Sequence, residues 1–513
     1  MNHPSTPEGT DFDLLVIGSG PAGQRAAITA AKLGARVAIV ERNDYSGGVC
    51  LNTGTIPSKS LREAVLYLTG YRQRGYYGDK YRLKEKIKTG DLLSRTSHVI
   101  LLERQAIHEE LARNGVERIT GLARLTGPNT VALHTRTGPR TVTAGAILVA
   151  VGTKPRRPDD VPFDTMNVLD SDGLFHNGTD LVPLPDSTIV VGAGVIGIEY
   201  ASMFAALDIP VTLVDPRPNP LGFIEGDIEK ILYDKLESMG MSLQFGIEHK
   251  RIELLGQANN PDARVRLILR DGRDFEADSL LFALGRTAVT ADLGLAELGV
   301  QLDPRGQIIV DACYRTAVPS IYAAGDVIGF PALASTSSEQ GRIAARNALG
   351  QTSNWCESTT LPFGIYTIPE ISMVGRTSAQ LEKDGEDFFV GTALWRENAR
   401  GKIIGDLSGA MKLLFRRGDR RLIGAHIIGE GATELIHIAQ AVMQFGGVDY
   451  LASNVFNYPT LSDAYKAAAI NALERLDGTA DRTEPLADQV LHGDLHQNFV
   501  RLSGEVRLPQ GFF

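Results

Sequence analysis

Two apolar runs, each ending in a glycine-rich turn, dominate the hydrophobic pattern of the chain. Asp13-Leu14-Leu15-Val16-Ile17 leads into Gly18-Ser19-Gly20-Pro21-Ala22-Gly23, and an Ala-rich stretch of helix formers continues to Leu33. Ala35-Arg36-Val37-Ala38-Ile39-Val40 then forms a second run ending at Glu41. Short continuous apolar runs fit strands buried on both faces, so the pattern predicts a βαβ unit of about thirty residues. It returns 174 residues later: Ser187-Thr188-Ile189-Val190-Val191 precedes Gly192-Ala193-Gly194-Val195-Ile196-Gly197. A helical stretch to Leu207 follows, then Pro210-Val211-Thr212-Leu213-Val214, ending at Asp215.

Residues 60–112 carry no apolar alternation and are rich in helix formers, which predicts long helices. Ala146–Gly152 predicts a buried strand that enters a Pro-rich link, Lys154-Pro155-Arg156-Arg157-Pro158. A second crossing is expected near Leu284-Gly285-Arg286. Beyond residue 358 the pattern changes, with strands at Met411–Phe415 and Leu422–Ile427 and helices at Glu434–Phe445 and Asp463–Leu476. These readings predict an α/β chain with two Rossmann-like domains and a C-terminal α+β domain. The expected division is 11–153 with 286–357, 154–285, 358–477, and a polar, irregular tail at 478–513. A rough prior of ~150 residues per domain agrees with about three domains in 513 residues.

Composition narrows the class further. The net charge is −9, which gives no electrostatic footprint for nucleic acid or an anionic membrane surface. No apolar stretch reaches the about 18 residues of a membrane span, and the polar start MNHPSTPEGTDFD lacks the pattern of a signal peptide. Cys50, Cys313 and Cys356 are odd in number and far apart, which argues against structural disulfides and for a cytoplasmic, reducing setting. The 54 glycines point the other way, toward phosphate-binding turns.

In a Gly-x-Gly-x-x-Gly turn the first glycine permits the tight bend, the second lets the backbone approach a pyrophosphate, and the third packs helix on strand. Gly18, Gly20 and Gly23 with Glu41, and Gly192, Gly194 and Gly197 with Asp215, supply that set twice, each acid being placed for ribose hydroxyls. Two such sites imply two dinucleotides, a flavin and a nicotinamide. The stretch Gly47-Gly48-Val49-Cys50-Leu51-Asn52-Thr53-Gly54-Thr55-Ile56-Pro57-Ser58-Lys59 resembles the redox motif of the FAD-dependent pyridine nucleotide–disulphide oxidoreductases. Thr316–Asp326 is similar to that family's second FAD motif, and Thr367-Ile368-Pro369-Glu370 to the start of its dimerisation domain. The resemblance spans roughly residues 11–476. It implies bound FAD, NAD or NADP as substrate, Gly325 and Asp326 on the flavin's ribityl chain, Gly285 among the cofactor-binding positions, and a homodimer. It also implies that Lys59, near the flavin N5, pairs with Glu199.

The departures from the family motifs carry the functional argument. Thr55 stands where the family has its second Cys, and a hydroxyl cannot close a disulphide with Cys50. In Phe456-Asn457-Tyr458-Pro459-Thr460, Tyr458 stands where the family has its His base, and Asp463 replaces the Glu five residues on. A phenol of pKa near 10 is a poor base at neutral pH. Both parts of the thiol chemistry are therefore missing together. The expected activity is hydride exchange between NADPH and NAD⁺ through FAD, ping-pong and without a dithiol, as in the Si-specific transhydrogenase branch of the family. A quinone or dye reductase on the same scaffold is the alternative. Cys50 is expected to be a spectator or a weak charge-transfer partner.

Nucleotide choice is mixed. Asp215 favours a ribose 2′-OH, and Arg217 could accommodate a 2′-phosphate. His437, within an apolar helix, reads as a core or interface histidine. The tail segment His492-Gly493-Asp494-Leu495-His496-Gln497-Asn498 resembles the catalytic loop of aminoglycoside and choline kinases. Its Asn498 comes one residue early and no phosphate loop lies nearby, so neither kinase activity nor a metal site is expected.

Overall fold

Both apolar runs form the centres of parallel sheets. Leu14, Leu15 and Val16 are fully buried, which is why the run has no alternation. The strand Phe12–Ile17 lies between Val37–Glu41 and Gly138–Val149, parallel to both, with Leu15 opposite Ala38 on one side and Ile147 on the other. Glu117–Gly127 extends the sheet beyond Val37–Glu41, and Ile321–Ala323 extends it beyond Gly138–Val149. The computed structural model describes residues 9–78, 81–84, 86–176, 180–181, 183–351, 360–478 and 485–492. Their contacts form two compact units, one drawn from 1–69, 83–218 and 243–359, the other from 70–82, 219–242 and 360–513.

In the first unit the second sheet repeats the design. Val211–Asp215, Thr188–Val191, Ser279–Phe282 and Val168–Asp170 are parallel neighbours in that order. The two expected crossings run side by side: Thr153–Pro155 pairs antiparallel with Arg286–Ala288, and the Arg156 N–H donates to Gly285 O at 3.0 Å. Two antiparallel meanders are additions to the sequence reading. One is Glu117–Gly127, Thr130–Thr135 and Gly138–Val149; the other is His249–Leu255, Arg264–Leu269 and Asp274–Ala277. The region read as long helices contains Thr55–Leu68 and Thr89–Arg113, interrupted from Gly70 by a 3₁₀ turn and a short helix.

The second unit is built on an antiparallel sheet ordered Phe363–Ile365, Ile371–Gly375, Leu422–Ile428, Ala410–Arg416, Phe388–Leu394. Helices Ala432–Phe445 and Ala464–Leu476 cover its core, where Trp395, Phe415 and Tyr465 are buried. Two sequence expectations need correction here. The tail is not wholly irregular: Leu486–His492 is a helix, with Leu486 and Ala487 buried and Asp488 paired to Lys230 at 2.7 Å. Its apolar spacing at Leu486, Ala487 and Val490 is short enough to be lost among polar neighbours. The kinase-like segment, from Gly493 to Asn498, lies outside the described residues. His437 is exposed on the outer face of its helix, with Nδ1 3.0 Å from Gln440 Oε1, so of its two readings, core or interface, the core one is corrected.

Among the described residues, no helix is long and apolar enough to cross a membrane. A buried ionic cluster ties helix Gly226–Ser238 to the sheet of the second unit. Lys412 Nζ donates to Glu225 Oε1 at 2.7 Å and to Asp227 Oδ2 at 2.5 Å. Burial opposes both charges. The pull of His426 and Lys412 nonetheless holds Glu225 below the usual carboxylate range. The charge of Glu225 and the bond to Asp227 hold Lys412 above the usual ammonium range. Lys412→Met leaves two carboxylates without their cation and is expected to cost about 3–5 kcal/mol, read from urea unfolding. In the parent chain, a group with a depressed pKa loses its contribution in acid. The advantage over Lys412→Met should therefore be full at neutral pH and shrink as the pH falls through the lowered pKa of Glu225.

Candidate functional site

The two glycine turns have the same geometry. Gly18 (φ +102°) and Gly192 (φ +110°) adopt left-handed backbone, and a Cβ on either would strike the neighbouring strand, at 2.4 Å from Ala150 O and 2.7 Å from Ala283 O. At the third position the helix stands against the turn itself. A Cβ on Gly23 would lie 1.9 Å from Gly18 O, and one on Gly197 1.8 Å from Gly192 O. The middle positions are open: a Cβ on Gly20 would meet nothing within 4 Å, and one on Gly194 only Arg217 Nη2 at 3.8 Å.

Helices Pro21–Lys32 and Val195–Ala206 begin at these open glycines without a side-chain cap and without an acid in the first turn. Uncapped N–H groups at a helix start are anion receptors, so both cradles fit a pyrophosphate. The acids close each cradle from the adjacent strand. Glu41 Oε2 accepts from Ser19 N–H (3.1 Å) and Oγ–H (2.6 Å), while Oε1 accepts from Asn43 N–H (3.1 Å). Asp215 Oδ2 accepts from Ala193 N–H (2.7 Å), and Oδ1 from Arg217 N–H (2.9 Å). A polar cleft of about 330 Å³ opens beyond Glu41, lined by Arg42, Asn43, Thr120, Gly121 and Arg136. Sequence reasoning had no signal for the Thr120 and Gly121 contribution, because it comes from the unrecognised meander.

Gly325 and Asp326 follow directly on the strand Ile321–Ala323 and Ala324. The Gly325 N–H donates to Gln340 Oε1 at 2.9 Å, which anchors this turn to helix Ala334–Ala348. Burial pushes the Asp326 carboxyl up, against the Arg286 charge and hydrogen bonds from Ser337 and Thr153. Arg286 binds Thr153 Oγ1 at 2.9 Å and Asp172 Oδ1 at 3.1 Å, so it links the two crossings to the Asp326 turn. Gly285 precedes it and keeps its carbonyl on Arg156.

Three residues from separate segments come together in the same unit. Lys59, on helix Thr55–Leu68, donates from Nζ to Glu199 Oε2 at 2.6 Å. Glu199 is almost fully buried, two residues past Gly197 on the second cradle's helix. Cys50 lies on the short helix Gly48–Asn52 as a free thiol. Burial pushes this thiol up; a hydrogen bond with the Thr55 side chain and the Lys59 charge oppose that, and the charges of Asp326 and Glu103 add to it. Thr55, the first residue of helix Thr55–Leu68, brings a hydroxyl and no sulfur to this position. Tyr458 is exposed.

The thiolate is the reactive form of cysteine, so Cys50 should resist alkylation. Peptide mapping after iodoacetamide treatment at neutral pH should show Cys50 modified at least about tenfold more slowly than the exposed Cys313, with the Cys50 rate climbing as the pH is raised. Equal rates at neutral pH would contradict the raised thiol.

Residues 12–341 match the family described as pyridine nucleotide-disulphide oxidoreductase, and residues 361–469 match its dimerisation domain. A protein of Mycobacterium bovis named soluble pyridine nucleotide transhydrogenase is 48% identical, over 91% of this chain and 98% of its own. A protein of the same name from Escherichia coli is 40% identical, over 92% of this chain and 100% of its own. Among solved structures, LpdA of Mycobacterium tuberculosis is similar at a TM-score of 0.80 and 28% identity, covering 89% of this chain and 99% of that one. The flavoprotein disulfide reductase RclA of Escherichia coli is similar at a TM-score of 0.78 and 26% identity, covering 90% and 99%.

Proposed function

The chain belongs to the pyridine nucleotide–disulphide oxidoreductases, FAD-dependent enzymes that use NAD(P), and from that premise we propose that it is a pyridine nucleotide transhydrogenase. It moves hydride between NADPH and NAD⁺ through FAD, in a ping-pong cycle without a redox dithiol. The observation that carries this reading is Thr55 itself, a hydroxyl where the family has its second cysteine, which cannot close a disulphide with Cys50. Electrons that reach the flavin have no disulphide to enter, so a second nicotinamide takes them. The names carried by the relatives at 40–48% identity support the same reading.

In this reading Gly18, Gly20, Gly23, Glu41, Gly325 and Asp326 hold FAD, which supplies the hydride acceptor and donor. Gly192, Gly194, Gly197, Asp215 and Gly285 hold the nicotinamide nucleotide. The buried Glu199 carboxylate fixes the Lys59 ammonium in place, where it favours negative charge on the flavin. Cys50 stays a neutral thiol at neutral pH and takes no part in electron transfer. The match to a dimerisation domain supports a homodimer as the working form, and a reducing cytoplasm suits a free, half-buried Cys50.

NADPH should bleach the flavin band of the purified protein, and NAD⁺ should restore it with no thiol added. Reoxidation by a quinone but not by NAD⁺ would replace the transhydrogenase reading with a quinone reductase. Cys50→Ser should retain most of the hydride transfer. Lys59→Ala should slow stopped-flow flavin reduction by about tenfold or more; unchanged rates would remove Lys59 from the site.

A further inference from the structure

The loop between the first cradle and Cys50 is pinned from two sides. On one side it lies against the cradle turn. The Gly47 N–H donates to Ser19 O and to Ser19 Oγ, both at 3.1 Å, and the same Ser19 hydroxyl donates to Glu41. A Cβ on Gly48 would stand 2.9 Å from Gly20 Cα. The loop backbone is therefore a wall beside the middle glycine, the one a pyrophosphate approaches. On the other side the loop is held by a carboxamide. Asn52 is buried, and its Nδ2 donates to Ser46 O at 3.2 Å and to Gly48 O at 2.7 Å. The Ser46 hydroxyl is buried with no hydrogen-bond partner among the described residues, so that side chain does not anchor the wall.

Asn52 is oriented from outside the loop. Arg104, on helix Thr89–Arg113, donates from Nε to Asn52 Oδ1 at 2.7 Å. A cation at Oδ1 makes the amide nitrogen face the loop carbonyls, since that end can only donate. The same guanidinium lies over the Tyr45 ring, 4.1 Å from its centroid. One side chain thus grips both ends of the segment 45–52, its start through the ring and its end through the carboxamide. We propose that Arg104 is a positioning residue for the flavin: through Asn52 and Tyr45 it holds the Gly47–Gly48 wall against the first cradle and so retains the resident FAD. The inference rests on the reading that the first cradle is the FAD site.

The test is the rate of FAD release from the purified, flavin-loaded protein after dilution, followed by the rise in flavin fluorescence. Arg104→Met removes the donor and the cation, and should speed release by about tenfold or more. Tyr45→Leu should speed it less. The double variant should exceed Arg104→Met by no more than about twofold, because both changes act through one guanidinium. Arg104→Lys keeps a cation and a donor without the planar fork, and should fall between the parent and Arg104→Met. A loosened wall should also raise the iodoacetamide rate at Cys50 by at least about threefold and leave that of the exposed Cys313 unchanged. If Arg104→Met fails to fold by circular dichroism, Tyr45→Leu and Arg104→Lys decide. Parent-like release from Arg104→Met, or single effects that multiply in full in the double variant, would overturn the assignment. Glu41→Gln separates the two readings. Release at the parent's rate from Glu41→Gln would sink the first cradle as the FAD site, while faster release from it with none from Arg104→Met would sink Arg104's role alone.

Discussion

How closely a helix can stand to the strand that precedes it governs this structure. At Gly23 and Gly197 the helix backbone approaches the first glycine's carbonyl so tightly that a Cβ would sit 1.9 and 1.8 Å from it. That approach fixes each helix start at the end of its strand, with its N–H groups uncapped. It also places the turn's own N–H within reach of the acid on the next strand, Ser19 for Glu41 and Ala193 for Asp215. Glu199 lies two residues beyond Gly197 on the same helix, so the anchor for Lys59 is set by the same contact.

The proposed chemistry then depends on what two positions, Thr55 and Tyr458, do not supply. Lys59 and Glu199 are paired and Cys50 is a free thiol, while Thr55 offers a hydroxyl where a dithiol would need a second sulfur. Burial favours the neutral thiol, the unreactive form. The fold delivers two nucleotide cradles and a positioned cation, and in the proposed cycle neither Thr55 nor Tyr458 supplies the family's dithiol chemistry.

Legibility in the sequence followed burial. Runs such as Leu14–Ile17 and Ile189–Val191, buried on both faces, were readable as strands, and the glycine turns beside them as cradles. The meanders were not, because strands such as Glu117–Gly127 mix exposed charge with scattered apolar positions and show no clean period. Their loss hid the Thr120–Gly121 side of the cleft beside Glu41. The Lys59–Glu199 pair, separated by 140 positions, came from a resemblance and not from periodicity. Arg217 was visible as a nearby cation, but its two-pronged hold on Asp215 is a tertiary fact that only side-chain geometry supplies. The helix Leu486–His492 was hidden by its short length and polar surroundings.

In the proposed cycle the flavin is the protein's one redox centre, and electrons leave it only to a nicotinamide. An anaerobic titration with dithionite, followed by flavin absorbance, counts them directly. The expected endpoint is about one two-electron equivalent per flavin, with no long-wavelength intermediate of a thiolate–flavin complex on the way. An endpoint at about two such equivalents would mean that a second redox centre is working beside the flavin, and would contradict it.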